Sequence, residues 1–291
     1  MTLSKGTLFD PVLVNDLVNK VNGKSSLAKL SKSVPVPFNG RKEFIFSMDN
    51  EVDIVAENGK KSHGGITVDP VTIVPIKFEY GARVSDEFLY ASDEEKLEIL
   101  KAFNDGFAKK VSRGLDIAAM HGINPRTGEA SSVIGENHFD AKATQKVTYS
   151  AATPDENIEA AIALVEGSDG EVTGMAISTT VRAALAAMKR QSGEKLYPDF
   201  QFGGKPSSLG AYALDINSTV SFGDVDHGIV GDFENMFKWG YSKEVPLEII
   251  KYGDPDNSGK DLKGYNQVYI RAEIYLGWGI LDGNAFARIG A

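Results

Sequence analysis

The longest regular pattern of apolar residues runs from Ser92 to His121 and has the spacing of an amphipathic helix. Apolar side chains recur every three or four residues, at Leu97, Leu100, Phe103, Phe107, Val111, Leu115 and Ala118. Ser92 and Glu95 match the sequence signature of a capping box, and Gly122 followed by Asn124-Pro125 marks the end. The pattern predicts one uninterrupted helix, roughly 45 Å long at about 1.5 Å per residue.

The stretch before this helix, Arg41 to Val84, has the alternation and turn signals of β-strands. Its apolar positions are Phe44, Phe46, Met48, Val52, Ile54, Val71, Ile73, Ile76, Phe78 and Tyr80. Asn58-Gly59 and Gly64-Gly65 mark turns within the stretch. A long hairpin is seldom stable alone in water, so a partner surface is expected. The pattern predicts a projecting β-ribbon that ends at Val84 and leads into the long helix.

The residues before the ribbon combine a short helical pattern with an extended segment. Apolar residues recur near helical spacing at Val12, Leu13, Val14, Leu17, Val18 and Val21. Gly23 is a natural end for such a helix. The two prolines of Val34-Pro35-Val36-Pro37 fix an extended path and remove backbone donors. These features predict an N-terminal arm that contains a short helix.

The second half of the chain mixes short helices with strands. Thr153 and Ser178 are predicted N-caps of two helices, which glycines end at Gly167 and Gly193. After Pro198 the chain becomes glycine-rich, and it ends with an alternating apolar pattern at Val268, Ile270, Ala272, Ile274 and Leu276. The predicted fold class is α+β.

Composition excludes several classes of function. The 291 residues carry a formal net charge of −9, which disfavours tight, sequence-independent binding to nucleic acid. The chain contains no cysteine, so thiolate catalysis and sulfur-ligated metals are excluded. No run approaches the roughly 20 apolar residues that a membrane span needs. An intracellular folding environment without a membrane anchor is therefore expected.

Candidate chemical motifs are few and incomplete. The histidines His63, His121, His138 and His227 are far apart in sequence and are expected at the surface or at helix caps. Asp254, Asp256 and Ser258 resemble the first half of a calcium loop, but the twelfth position is Tyr265 rather than glutamate. An acidic surface turn is expected there instead. No catalytic, cofactor-binding or metal site is predicted.

The order of these parts is similar to that of a known family. The matching segments are Val84-Ser85-Asp86-Glu87-Phe88-Leu89, Leu115-Asp116-Ile117-Ala118, Asn124-Pro125-Arg126-Thr127-Gly128, Met175-Ala176-Ile177-Ser178, Gly231-Asp232-Phe233, Arg271-Ala272-Glu273 and Asn284-Ala285-Phe286-Ala287. In this order and spacing, from about Leu13 to Ile289, the chain resembles the major capsid protein of tailed bacteriophages, which has the Hong Kong-97 fold.

The resemblance implies a division of the chain into parts. Residues 1–40 would form an N-terminal arm and residues 41–84 an extended β-hairpin loop that lies across an adjacent subunit. Residues 85–150 would form a peripheral domain with the spine helix at residues 92–122. Residues 151–262 would form an axial domain, and residues 263–291 would return to the peripheral domain.

The resemblance also implies function and partners. The protein would assemble as hexamers and pentamers into an icosahedral shell that encloses a double-stranded DNA genome. Its partners would be scaffolding and portal proteins, and it would contact packaged DNA loosely and non-specifically. The virion would be assembled in the cytoplasm of a bacterial host. Because the ribbon and arm lack a local core, their apolar side chains are the expected intersubunit contacts: Leu13, Leu17, Phe44, Phe46, Ile54 and Ile73.

Three other functions remain open from the sequence. An encapsulin-type nanocompartment shell has the same fold but encloses enzyme cargo. A monomeric binding or adhesin-like module would explain a projecting hairpin without assembly. A hydrolase that uses dispersed carboxylates such as Asp224, Asp226 and Asp232 has the least support, because these residues form no recognisable pair.

Overall fold

The computed structural model describes residues 20–21, 24–48, 52–242 and 247–290, and it confirms the α+β class. The helices are α1 (Ser26–Leu30), α2 (Asp93–His121), α3 (Phe139–Lys142), α4 (Pro154–Glu166) and α5 (Thr179–Ala187). The strands are β1 (Arg41–Met48), β2 (Ile66–Ile73), β3 (Ile76–Ser85), β4 (Gln145–Thr148), β5 (Gly174–Ile177), β6 (Ser208–Leu209), β7 (Tyr212–Ile216), β8 (Asp226–Gly231), β9 (Phe237–Tyr241), β10 (Leu247–Ile250), β11 (Gln267–Ile280) and β12 (Phe286–Gly290). Within these described ranges, no helix is both long enough and apolar enough to cross a membrane.

The long helix α2 forms where the sequence predicts it. The Ser92 hydroxyl accepts a hydrogen bond from the Glu95 amide, and the Glu95 side chain accepts one from the Ser92 amide, so the capping box is present. At the other end Gly122 has a left-handed φ of 67°, which ends the helix. A Cβ atom at Gly122 would also approach the His138 ring to 2.5 Å. Glycine is therefore required there by both conformation and space.

The ribbon consists of β1 and β2 alone, which corrects its predicted extent. The two strands pair antiparallel, with Arg41 opposite Ile73 and Met48 opposite Ile66. β3 belongs to another sheet, where it pairs along its length with β11. The chain changes sheets at Val74-Pro75, where proline supplies no backbone donor. The predicted ribbon end at Val84 is wrong, and the described ribbon ends at Ile73.

A four-stranded antiparallel sheet is organised around the long strand β11. β3 pairs with one edge of β11, while β10 and β9 pair with successive parts of the other edge. The extended segment with the two prolines runs beside β9, where the Val34 amide donates to the Trp239 carbonyl at 2.8 Å. A Cβ atom on Gly240 would lie 1.7 Å from the Val34 carbonyl oxygen, so only glycine permits this approach.

The second large sheet has the strand order β4-β12-β8-β5-β7-β6 and separates two apolar cores. Neighbouring residues alternate between the cores: Ile229 faces the core under α1 and α2, whereas Val230 faces the core under α4 and α5. Phe286 and Ala287 alternate in the same way. Burial on both faces explains why apolar residues stand next to one another in these strands, as in Ile229-Val230.

The shorter helices and the sheet assignments refine the sequence analysis. Ser178 caps α5 as predicted, but the helix ends at Ala187 and the next residue, Met188, is extended. Gly193 instead lies in a turn after an isolated bridge position, so the prediction that it ends the helix is wrong. β9 and β10 pair with β11, whereas β4 and β12 share a sheet with β5 to β8. The predicted boundary at Leu262 therefore does not follow the sheets.

Candidate assembly site

The ribbon carries exposed apolar side chains on a hairpin whose two strands, among the residues that the structure describes, pair only with each other. Phe44 is 58% exposed and Ile54, in the connection between β1 and β2, is 96% exposed. Ile66 and Val68 on the returning strand are exposed as well. Such a row of apolar groups on a two-stranded sheet has no core of its own to cover it. The ribbon is therefore the main candidate for contact with another subunit.

Three predicted contact residues lie outside what can be described. Leu13 and Leu17 fall in the range before residue 20. Phe46 is paired with Val68 through the backbone of β1, but its side chain is not among those described.

Ile73 is not an intersubunit contact in this structure, and the prediction for it is wrong. Its side chain is 0% exposed and is part of the subunit's own interior. Cβ atoms added to Gly277 and Gly279 would lie 3.0 and 2.9 Å from Ile73 atoms, so these glycines of β11 make room for the isoleucine. The ribbon is thus attached at its base by apolar packing, and only its outer part is open to a partner.

Helix α1, within the predicted arm, is held against its own subunit by a buried carboxylate on α2. The Ser25 hydroxyl donates to Asp116 Oδ1 at 2.5 Å, and the amides of Ser26 and Leu27 donate to Asp116 at 3.0 and 3.3 Å. The Ser25 hydroxyl also accepts from the Ala28 amide and so caps α1. These bonds join the start of α1 to the middle of the long helix.

A second carboxylate holds the same helix from the other side. Asp215 on β7 accepts from the Ser26 hydroxyl at 2.5 Å and from Lys29 Nζ at 2.6 Å. Lys29 is partly exposed, so this ion pair is screened by solvent. Asp116 and Asp215 together tie α1 to α2 and to the six-stranded sheet.

Asp116 is completely buried, but donors surround it. Besides the contacts from α1, the Asn217 amide group and the Thr219 hydroxyl donate to its Oδ2 at 3.3 and 3.1 Å. Burial raises the pKa of Asp116 to about 6, while the hydrogen bonds oppose that rise. At neutral pH the ionised carboxylate is compensated by five donors rather than by a cation.

His121, the last residue of α2, continues this polar network. Its Nε2 lies 3.0 Å from the Thr219 carbonyl, and its Nδ1 lies 3.0 Å from Asp140 Oδ2. A carbonyl can only accept, so Nε2 must carry a proton, and Nδ1 then faces a carboxylate. Burial disfavours the charged ring, but the hydrogen bond and charge of Asp140 prevail and raise the pKa of His121. Both ring nitrogens face acceptors, an arrangement that favours the protonated ring.

Arg288 on β12 completes the network. Its Nη1 lies 3.2 Å from Asp140 Oδ1 and 2.8 Å from Asp226 Oδ2, and its Nε donates to the Ala143 carbonyl. Burial, followed by the proximity of Asp140, raises the pKa of Asp226 to about 6. When His121 and Arg288 are cationic and both carboxylates are ionised, the group is neutral overall. Charge balance makes its burial tolerable.

The same groups could offer ligands to a metal ion, but their present bonds argue against one. Atoms of His121, Asp140 and Asp226 lie within 4.8 Å of one another. The Arg288 guanidinium already occupies the space between the two carboxylates, and both ring nitrogens of His121 face acceptors. A ligand histidine needs a free lone pair. The arrangement fits a buried ion network better than a metal centre.

The calcium-like loop is organised by an arginine. Arg83 on β3 contacts Asp254 and Asp256 through Nη2 at 2.7 and 2.5 Å. Asp254 in turn accepts from the amides of Ser258 and Gly259. The Arg83 guanidinium lowers the pKa of Asp256. These carboxylates are paired within the chain, in agreement with the predicted acidic turn.

Sequence reasoning missed the polar network. His121 was expected at a surface or cap, and it does end a helix, but it is only 6% exposed. Asp226, considered as a hydrolase carboxylate, is buried against Arg288 instead. The helix pattern gave no signal for Asp116, which lies about 150° around the helix from the centre of the apolar stripe at about 100° per residue.

Comparisons with known proteins agree with the fold. The model of the phage capsid family matches residues 5–290. A solved chain from Mycobacterium phage Ogopogo is 31% identical, with a TM-score of 0.76 and coverage of 91% of each chain. A chain from Gordonia phage Cozz is 23% identical, with a TM-score of 0.74 and coverage of 92% of this chain and 86% of that one. No curated protein matches.

A further solved structure supports the fold alone. The capsid of a native GTA particle, computed with C5 symmetry, has a TM-score of 0.66 at 17% identity, with coverage of 91% of this chain and 90% of that one. The predicted capsid fold is thereby confirmed, and neither the encapsulin shell nor the monomeric binding module gains support. The protein has the structural role of a major capsid protein of a tailed phage, located in the virion shell and assembled through capsomers. The chain belongs to the phage capsid family.

Proposed function

We propose that the outer part of the ribbon lies across a neighbouring subunit and supplies the apolar contact that links subunits in the shell. The observation that carries the proposal is the exposure of Phe44 and Ile54 on a hairpin paired only with itself. Burial of apolar area contributes about 25 cal/mol per Å² before the costs of association. Phe46, and Leu13 and Leu17 of the arm, belong to the same proposed set.

Many contacts of this kind suit a closed shell. Each contact can be weak, because symmetric closure lets several contacts per subunit act together. We propose hexamers and pentamers as the closed rings, with residues 1–40 as the arm and the ribbon ending at Ile73. Residues 85–150 and 263–291 would form the peripheral part and residues 151–262 the axial part, although β9 and β10 pair with the peripheral strands.

The remaining partners follow from the role and from charge. Scaffolding and portal proteins would take part in assembly in the cytoplasm of a bacterial host. Packaged DNA would contact the shell loosely, because a chain with a net charge of −9 offers little cationic surface for phosphate. The role would be structural, without catalysis.

The ribbon proposal is tested by placing a charge on its exposed face. Phe44→Asp and Ile54→Asp should fold as the unsubstituted chain does, because neither side chain is buried in the subunit. Both should abolish or strongly reduce particles in light scattering and negative-stain electron microscopy. Val133→Asp, at an exposed apolar residue outside the ribbon, is the matched control. Normal particles from both ribbon variants would refute the proposal.

A further inference from the structure

Phe202 is a fully exposed aromatic side chain held in an unfavourable backbone conformation. It has φ 52° and ψ 31°, in the left-handed region that a bulky residue rarely adopts. The chain turns sharply there, since Gly203 follows with φ 84°. Two residues earlier, Phe200 is buried in the core under α4 and α5. Strain that presents an aromatic ring to solvent points to a function outside the subunit.

A small apolar pocket lies on the same half of the chain. It has a volume of about 260 Å³, below the usual size of a site for a drug-sized ligand and suited to a single side chain. Its lining combines α4, β5 and the β6–β7 hairpin with Tyr197 of the segment before Phe202, and includes Ile158, Ile162, Met175, Leu209 and Tyr212. Apolar residues form most of this lining, and α4 adds two carboxylates, of which Glu159 is exposed and Asp155 is half-buried.

The segments that carry the ring and the pocket differ in charge. Residues 189–205, which include Phe202, contain four basic and two acidic residues. Helix α4 contains four acidic residues and no basic one. Lys189 and Arg190 are exposed on the first segment, as are Glu156 and Glu159 on the second. Opposite charges of this kind favour contact between the two surfaces and set its register.

We propose that Phe202 of one subunit inserts into the α4 pocket of a neighbouring subunit within a capsomer, with the basic flank of its loop against the acidic face of α4. The contact is head-to-tail, and such contacts generate a ring when the rotation between subunits closes. A buried aromatic ring surrounded by charged residues has the composition of an interface hot spot. The inference rests on the proposed assembly but uses a surface separate from the ribbon.

A double-mutant cycle tests the contact. Phe202→Ser and Leu209→Asp should each raise the subunit concentration needed for half-maximal assembly by about tenfold or more. The double variant should be little worse than either single variant, because both remove the same contact. Tyr252→Ser, at an exposed aromatic residue elsewhere, is the matched control, and thermal unfolding of the subunits should be unchanged by Phe202→Ser. Additive effects, or a Phe202→Ser variant that assembles normally, would overturn the proposal.

Chemical cross-linking gives an independent measurement, since the chain has no cysteine of its own. Subunits with Phe202→Cys and subunits with Leu209→Cys are co-assembled and treated with a short bismaleimide. Covalent dimers are expected from the mixture and not from either variant alone. Particles without dimers would reject this contact while leaving the ribbon proposal intact. If the unsubstituted chain formed no particles even with its scaffolding protein present, the proposed assembly itself would be rejected.

Discussion

The ribbon and the buried polar network show two opposite uses of a side chain in one subunit. On the outer ribbon, Phe44 and Ile54 are apolar and exposed, with no partner surface in the subunit. In the network, Asp116 and Arg288 are charged and covered, and each has several hydrogen-bond partners. Exposure without a partner is a sign of assembly, whereas burial with partners is a sign of internal cohesion. Substitutions in the two regions should therefore affect different measurements.

The largest effect on folding is expected at Arg288. Arg288→Met would leave Asp140 and Asp226 without their shared cation, and breaking a buried pair in this way costs about 3–5 kcal/mol. The free energy of unfolding, measured by urea denaturation of unassembled subunits at pH 7, should fall by that amount. Arg288→Lys keeps the charge but loses the planar guanidinium. Its free energy of unfolding should lie between those of Arg288→Met and the unsubstituted chain. A loss below about 1 kcal/mol would show that the network contributes little.

Ile73 and Ile54 allow the same residue type to be compared within one ribbon. Ile73→Ala removes a fully buried side chain and should lower the free energy of unfolding by about 2–5 kcal/mol. Ile54→Ala should change it by no more than about 0.5 kcal/mol, since the side chain is almost wholly exposed. Light scattering should show that Ile54→Ala assembles less well than the unsubstituted chain, although its subunit folds normally. If Ile73→Ala and Ile54→Ala lost equal stability in urea denaturation, the distinction between a buried base at Ile73 and an exposed outer part at Ile54 would be contradicted.

The difference between base and tip could not be read from the alternation alone. Ile54 and Ile73 both occupy apolar positions of one strand-like stretch, and both were predicted to face a partner. They differ because Ile73 packs against Gly277 and Gly279, which lie more than 200 positions further along the chain and leave space for its side chain. Periodicity reports which residues share a face but not what covers that face.

Local signals, in contrast, predicted the long helix with both of its ends. Ser92 and Glu95 form the capping box, and Gly122 takes the left-handed conformation, so each end depends on neighbours within a few residues. The polar network depends on distant segments, because Ser25 reaches Asp116, and Arg288 reaches Asp226, only after folding. Its individual residues resemble surface charges in the sequence. The helix was therefore predictable, and the network was not.

Asp116 should have a smaller effect than Arg288 because no cation is lost with it. Asp116→Asn would place an amide group among five donors, and a buried donor left without an acceptor costs about 1–3 kcal/mol. Hydrogen exchange should rise at the amides of Ser26 and Leu27, which donate to Asp116. Asp215→Asn, which weakens the partly exposed bond to Lys29, is the comparison and should change the unfolding free energy less. Unchanged exchange at Ser26 and Leu27 would indicate that α1 is held by packing alone.

The smallest expected effect is the contribution of His121 to stability as a function of pH. Because the folded chain raises the pKa of His121 above its unfolded value of 6.5, its stabilising contribution is complete below that pH. The contribution is lost as pH rises through the higher pKa that His121 has in the folded chain. Asp140 and Asp226 favour the imidazolium, while Arg288 and His138 are the basic groups nearby. Asp116 and Asp226 also titrate differently on folding, but with pKa values raised to about 6 they act mainly at lower pH.

Urea denaturation of unassembled subunits above pH 6.5 can isolate this contribution. The unsubstituted chain should lose unfolding free energy as pH rises, whereas His121→Gln should show a flatter profile. His63→Gln, at an exposed position on the ribbon connection, should follow the unsubstituted chain. If unfolding free energy changed with pH by the same slope in all three chains, the proton that charges the His121 ring would be bound no more tightly in the folded chain than in the unfolded one. The network would then be held mainly by Arg288, and the contrast with the ribbon would rest on a single cation.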